Sequence, residues 1–173
     1  MKKVAIIGPE STGKSTLCAA LAERFGAPWV PEYARQYLEQ LEGAYTEDDL
    51  LAIARGQLAG EDRVCAASGA SLVFCDTDLY VIKVWSEHKF GCCDPWILQE
   101  ISRRPYDLYL LTAIDLPWSE DPQREHPEPR MREYFFRQYL DIVLASGVPW
   151  ALIEGDATSR LALAEGAVGK LGK

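Results

Sequence analysis

The chain is poor in histidine and in paired cysteine: His88 and His126 are its only imidazoles in 173 residues, and its cysteines number an odd five. Cys18, Cys65, Cys75, Cys92 and Cys93 contain no C-x-x-C pair, which excludes a zinc-ribbon reading and a disulfide scaffold and fits a reducing compartment. The adjacent Cys92 and Cys93 read as buried or half-buried thiols rather than as a metal or redox pair. Basic charge is also short. Eighteen Lys and Arg face 26 Asp and Glu, a net charge of −8, which argues against nucleic acid or an anionic membrane surface as a partner, since both need a basic footprint. No apolar run approaches the roughly 20 residues of a membrane-spanning helix, and the first apolar segment flows into a glycine-containing loop rather than a signal-peptide cleavage site. The expectation is a cytoplasmic protein that handles a small molecule. Repeats, low-complexity tracts and Pro/Gly/Ser linkers are absent, so residues 1–173 read as one domain, and 48% hydrophobic content is enough for one core.

Against these absences stands Gly8-Pro9-Glu10-Ser11-Thr12-Gly13-Lys14-Ser15, a G-x-x-x-x-G-K-S loop directly after the apolar run Val4–Ile7. A loop of this kind turns tightly between a buried strand and a helix, so that its backbone N–H groups cradle phosphate oxygens. Gly8 and Gly13 permit the turn and the close approach. Glu10, Ser11 and Thr12 contribute the intervening backbone. Lys14 supplies a positive charge for the β- and γ-phosphates, the Ser15 hydroxyl is placed for Mg²⁺, and Thr16 continues into a helix whose N-terminus favours an anion. The amphipathic segment from Leu17 to Phe25 is the helix this motif requires.

Further strand-like runs recur at Pro28–Val30, Ser71–Cys75, Leu108–Thr112 and Trp150–Ile153, separated by helical patterns. They are continuously apolar rather than alternating, as strands covered on both faces should be, so the fold class is α/β with a five-stranded parallel sheet and helices on both sides. Thr46 followed by Glu47, Asp48 and Asp49 predicts the capped start of a long helix reaching about Ala67. Gln57 and Glu61 share one face of it, either as a solvated polar stripe or as a substrate contact. Leu72–Cys75 ends in Asp76. The carboxyl ends of parallel strands face the ligand crevice, so Asp76 is expected beside the phosphate loop, holding Mg²⁺ or its water. Asp78, two residues on, caps the following helix, binds substrate, or does both.

Residues 117–132 contain four prolines and three arginines, a composition that suits a functional lid, about residues 115–131, more than a plain connection. An arginine on such a lid neutralises charge that builds on a transferred phosphoryl group; Arg124 is the first candidate, followed by Arg130 and Arg132. Trp118 either anchors the lid by packing or offers its face to a flat ring, with extra attraction for a cationic one. His126, between Glu125 and Pro127, reads as a solvent-exposed loop histidine. The last strand runs into Gly155, where the chain either lines a nucleotide base or merely turns.

Taken together, the loop G-P-E-S-T-G-K-S-T, Glu32-Tyr33-Ala34-Arg35, Asp76-Thr77-Asp78, Tyr106-Asp107-Leu108, the Pro117-Trp118 lid with Arg124 and Arg132, and the Gly155 to Arg160 ending resemble the ribosylnicotinamide kinase domain of bacterial NadR-type proteins. The match runs through nearly the whole chain in the same order. It implies a P-loop kinase-type, three-layer fold with strand order 2-3-1-4-5. It also implies ATP and Mg²⁺, with transfer of the γ-phosphoryl group to the 5′-hydroxyl of nicotinamide riboside. By the same likeness Gly155 and Arg160 join the nucleotide contacts, while Glu32, Tyr33, Arg35, Gln57, Asp78, Trp118 and Asp121 become candidates for substrate binding. Either Glu32 or Asp78 takes the proton of the acceptor hydroxyl. NadR-type proteins carry an adenylyltransferase domain ahead of the kinase, whereas this sequence is expected to hold the kinase portion alone. Its rivals are a kinase of another small hydroxylated substrate, an NTP-hydrolysing switch with a protein partner, and a nucleotide-binding module without turnover.

Overall fold

The computed structural model describes residues 1–171. Its first strand, β1 (Lys2–Ile7), leads through the phosphate loop into α1 (Lys14–Phe25), followed by β2 (Trp29–Val30), α2 (Tyr33–Gln40), α3 (Glu47–Ser68) and β3 (Leu72–Asp76). The chain continues through α4 (Leu79–Phe90), α5 (Pro95–Arg103), β4 (Leu108–Thr112), α6 (Pro129–Ser146), β5 (Trp150–Ile153) and α7 (Ala157–Val168). The strands form one parallel sheet of order β2-β3-β1-β4-β5. Parallel neighbours need a crossover connection, and here each crossover is helical, which covers both faces of the sheet.

Alternation along β1 divides its burial between two layers. Val4 and Ile6 join Leu17, Leu21, Phe74, Leu110 and Ile153 under α1 and α7, while Ala5 and Ile7 join Val73, Leu111, Phe135 and Val143 on the opposite side. All four β1 residues are fully buried, and complete burial of each larger aliphatic side chain stabilises the fold by about 1.5–3 kcal/mol. A third cluster, with Leu50, Ile53, Leu58, Ile82 and Ile97, ties α3, α4 and α5 together. Among the described residues no helix is long and apolar enough to cross a membrane.

The capping box at Thr46 is present: its side chain accepts from the Asp49 N–H, and the Asp49 carboxylate accepts from the Thr46 N–H at 2.7 Å. Helix α2 has Glu32 at its N-cap position. Other expectations are revised. Pro129 begins α6, where its missing N–H costs nothing, so Arg130 and Arg132 are helical and the irregular lid ends before them. Helix α5 was not anticipated at all, although Asp94 caps it and Pro95 opens it. Cys92 is exposed rather than buried, with its thiol 3.2 Å from the Glu47 carboxylate.

The solvated polar stripe on α3 is also overturned, because Gln57 and Glu61 are each 1% exposed. Glu61 faces the sheet, where the Tyr106 hydroxyl donates to it at 2.5 Å and the Lys3 ammonium pairs with it at 2.6 Å while lying 4.5 Å over the Tyr106 ring. A buried carboxylate is tolerated only with such partners. Removing it strands the Lys3 charge near the start of the central strand and the Tyr106 hydroxyl in the core. Glu61→Ala should therefore lower the unfolding free energy by about 3 kcal/mol in urea titration, and a loss below about 1 kcal/mol, the range of an exposed pair, would show that this network carries no stability.

Candidate active site

The chain leaves β1 at Gly8 with φ +144° and passes so close to β4 that a Cβ there would sit 2.9 Å from the Thr112 carbonyl oxygen. Only glycine fits that approach. Gly13, at φ +76°, ends the loop as the N-cap of α1. Gly8–Thr16 lines one end of a cleft of about 570 Å³. Thr12 is buried, with its hydroxyl donating to the Pro9 carbonyl at 2.7 Å and lying 2.7 Å from that of Thr112. Thr112 in turn donates to the Ile7 carbonyl at 3.2 Å, so the last residue of β4 braces the loop from behind. Its role was missed in the sequence, where it reads as an ordinary strand end. Lys14 Nζ reaches across the loop to the Pro9 carbonyl at 2.9 Å.

Parallel pairing sets Asp76 opposite Ile6 of the adjacent strand, which brings it to the phosphate loop on the α1 side of the sheet. Burial pushes its pKa up, and the Ser15 hydroxyl and Lys14 ammonium partly counter that. Asp76 is 2% exposed and its Oδ1 has no hydrogen-bond partner. A buried oxygen with free lone pairs beside a serine hydroxyl fits a hydrated Mg²⁺.

The next residue redirects the chain. Thr77 is β-branched yet sits at φ +78°, with its N–H donating to the Ile6 carbonyl at 3.1 Å, a backbone state that costs energy outside glycine. Beyond it Asp78 turns to the other side of the sheet. It caps α4 by accepting from the Val81 N–H at 3.2 Å, is 1% exposed, and lies with Tyr80, Glu100 and Tyr109 beneath α4 and α5. It does not line the cleft. Burial pushes its pKa up to about 7, Glu61 adding to the rise while the Val81 N–H opposes it.

Glu32 does line the cleft. Burial raises its pKa, Lys14 draws it back down, and Asp76 pushes it up again, so these three groups occupy one electrostatic neighbourhood. Arg35 also lines the cleft and pairs with Asp121 of the lid at 2.9 Å. Tyr33 lies outside it: its ring packs on Gly56, and its N–H donates to Gln57 Oε1 at 2.9 Å. Gln57 thus supports the start of α2 from behind and does not reach the cleft.

The lid lies against the phosphate loop. Glu10 accepts from the N–H groups of Glu125 and His126, each at 3.1 Å, and Ser11 Oγ accepts from Ser119 N–H at 2.8 Å and from Arg124 at 3.4 Å. Arg132 donates to the carbonyls of Leu116 (3.0 Å) and Ser11 (3.4 Å). Trp118 is not on the cleft wall; Arg124 and Arg132 each lie 5.9 Å from its ring centroid, which favours the packing anchor over the ring platform. His126 is half-buried against His88 and Phe135, not exposed. Arg160 is 4% exposed and turned inward, donating to the carbonyls of Gly155 (2.8 Å), Thr12 (2.9 Å) and Ala113 (3.2 Å) and pairing with Asp115. It braces the phosphate loop, and the Gly155 N–H is bound to the same Asp115 at 2.6 Å.

The far end of the cleft is walled by residues that the sequence reading passed over. Val81, Trp85 and Lys89 recur every four residues along α4, and Tyr45 faces them from the α2–α3 connection. That i, i+4, i+8 stripe was the available signal. It was hidden because Val81 and Trp85 look like ordinary core positions.

A family model described as an AAA domain (AAA_28) matches residues 3–160. The trifunctional NAD biosynthesis/regulator protein NadR of Escherichia coli (strain K12) is 24% identical over 160 residues, 89% of this chain and 38% of that protein. Its Salmonella typhimurium counterpart is 28% identical over 130 residues, 72% of this chain and 31% of that protein. The chain therefore spans about a third of the length of these curated relatives. A crystal structure of NadR protein in complex with NR matches at a TM-score of 0.80 and 25% identity, covering 98% of this chain and 49% of that one. Thymidylate kinase from Ehrlichia chaffeensis shares the fold at a TM-score of 0.68 and 14% identity, covering 95% of this chain and 97% of that one.

Asp78 links stability to pH. Folded, it keeps its proton to about pH 7, against an ordinary value of 3.8, so the native state binds more protons between those limits. The stability it contributes is complete below about pH 4 and is lost as pH rises to about 7. Unfolding free energies of the unsubstituted protein, from denaturant titration, should fall across that window relative to Asp78→Asn, by roughly 1 kcal/mol per pH unit. Parallel pH dependences for the two proteins would overturn the assignment.

Proposed function

The chain belongs to the AAA_28 family of AAA domains, and from that premise we propose that it is an ATP-dependent kinase of nicotinamide riboside, acting in a cytoplasmic setting and yielding nicotinamide mononucleotide. The observation that carries the reading is the meeting of Lys14 and Glu32 on the wall of one cleft that Trp85 and Tyr45 also line, with Asp76 buried behind the phosphate loop in the same electrostatic neighbourhood. A phosphate loop alone serves many NTP-using proteins, but a carboxylate in the same cleft as the loop, with aromatic side chains on part of its wall, suits a hydroxylated acceptor. The aromatic walls suit a flat ring, and a positively charged pyridinium gains further from their faces. The likeness to NadR, including the form in complex with NR, supports that choice of acceptor.

In this reading the loop N–H groups and Lys14 hold the β- and γ-phosphates. Ser15 and Asp76 would hold Mg²⁺, which would supply positive charge against the phosphate oxygens. Glu32 orients the acceptor 5′-hydroxyl and takes its proton. The acceptor oxygen then bonds to the γ-phosphorus as the bond to the ADP oxygen breaks. Glu32 is preferred to Asp78 because Asp78 is turned beneath α4, away from the cleft. Burial raises the pKa of Glu32, which brings its basicity closer to what proton removal near neutral pH needs. Of the lid arginines Arg124 is preferred, since it lines the cleft and Arg130 and Arg132 do not.

The test is ATP-dependent phosphorylation of nicotinamide riboside beside a panel of other nucleosides. Lys14→Ala should abolish turnover, and Glu32→Gln should lower kcat by about 10²–10⁴ and remove the acid limb of the pH profile. Trp85→Ala should raise KM for the acceptor more than it lowers kcat. Transfer to another nucleoside in preference to nicotinamide riboside would refute the substrate, and full activity in Lys14→Ala would refute the phosphate site.

A further inference from the structure

Glu125 sits where three parts of the molecule meet. Its carboxylate accepts from the Tyr45 hydroxyl at 2.9 Å, with Lys89 Nζ at 3.5 Å. Its backbone N–H donates to Glu10 of the phosphate loop at 3.1 Å, alongside that of His126. The Tyr45 hydroxyl is also directional. The Trp85 indole N–H donates to it at 2.8 Å, and an indole nitrogen is a donor only, so the tyrosine oxygen accepts there and its own proton is committed to Glu125. The Tyr45 ring is in turn fixed by edge-on packing against Trp85 (4.9 Å) and Phe90 (6.1 Å) and by Lys89 lying 5.1 Å over its face. An unbroken line of contacts thus runs from the far wall of the cleft, through one lid residue, to the phosphate loop.

We propose that Tyr45, Glu125 and Glu10 form a positioning chain through which the acceptor wall holds the lid on the phosphate loop, favouring transfer to the acceptor over transfer to water. The competing reaction forms a bond from a water oxygen to the γ-phosphorus, breaks the bond to ADP and releases a proton to solvent; a lid held down excludes that water. None of the three residues takes part in bond making. Their effect lies in where the lid rests. An acceptor seated against Trp85 and Tyr45 bears on the same hydroxyl that holds Glu125, which gives the lid a direct report of occupancy. The hold on the lid stands on geometry alone, whereas its consequence for water rests on the kinase reading above.

Tyr45→Phe is the discriminating substitution, since it keeps the ring, its edge contacts and its place under Lys89, and deletes only the hydroxyl. Two measurements are made on it and on Glu125→Ala, using the full chain. The first is amide hydrogen exchange of residues 119–128 without ligand, expected to rise several-fold in both variants while exchange in the β1 and β3 strands stays unchanged. The second is the ratio of phosphorylated acceptor to ADP formed, expected to fall at least threefold in both, with Glu125→Gln, which still accepts from Tyr45, retaining most of the original ratio. Unaltered lid exchange in Tyr45→Phe overturns the positioning chain, and faster lid exchange with an unaltered ratio overturns its role against water. If the unsubstituted protein phosphorylates no acceptor in the panel, the kinase reading fails and the water claim with it, while the exchange result still decides the hold on the lid.

Discussion

The pairing of β1 with β3 is the constraint on which the site depends. A parallel ladder with Ile6 opposite Asp76 brings a strand-end carboxylate to the start of the phosphate loop, and the parity of the strand sends its side chain toward α1 and Ser15. Neither loop nor carboxylate has this meaning alone. The ladder in turn requires the continuous apolar runs of both strands, because a strand in the middle of a sheet covered on both sides has no solvent face. Core packing and site geometry are thus one arrangement, and a one-residue slip of β3 would move Asp76 to the opposite face.

Charge around the cleft is handled by pairing rather than by excess. Lys14 serves the loop, Arg35 is tied to Asp121, Lys89 lies beside Glu125, and Arg160 is consumed by three carbonyls and Asp115 behind the loop. An acidic chain can therefore present a phosphate site without a basic surface. Buried arginine acts here as scaffolding: a planar fork of donors collects carbonyls from three separate segments. The lid is held in a similar way, its N–H groups bound by Glu10 and Ser11, so the phosphate loop serves as an anchor for the lid as well as a cradle.

Much of this was legible in the residue order. Short apolar runs at regular spacing, the G-x-x-x-x-G-K-S turn, the Thr46 cap and the aspartate at the end of β3 each depend on neighbours within a few positions, and each was found where local chemistry put it. The misreadings share a different character. Gln57 and Glu61 look like a wet stripe because nothing near them in sequence reveals that Tyr33, Lys3 and Tyr106 come to meet them. Trp118 reads equally as lid anchor or ring platform until two arginines, 6 and 14 residues further on, are seen beside its ring. Asp78 reads as a helix cap, a substrate ligand or both until Thr77 is seen to turn the chain, which leaves it capping α4 away from the cleft.

By itself, then, the order of residues determined the α/β class, the phosphate loop and the strand whose end would carry the carboxylate, since strand, turn and helix signals are local and the parallel sheet follows from their alternation. Which carboxylate faces the cleft, which arginines touch the loop and which aromatic residues wall the far end were decided only by tertiary structure. Those outcomes depend on strand parity, on the hand of one strained residue and on contacts spanning 80 to about 150 positions along the chain, separations over which no local pattern in the sequence carries information.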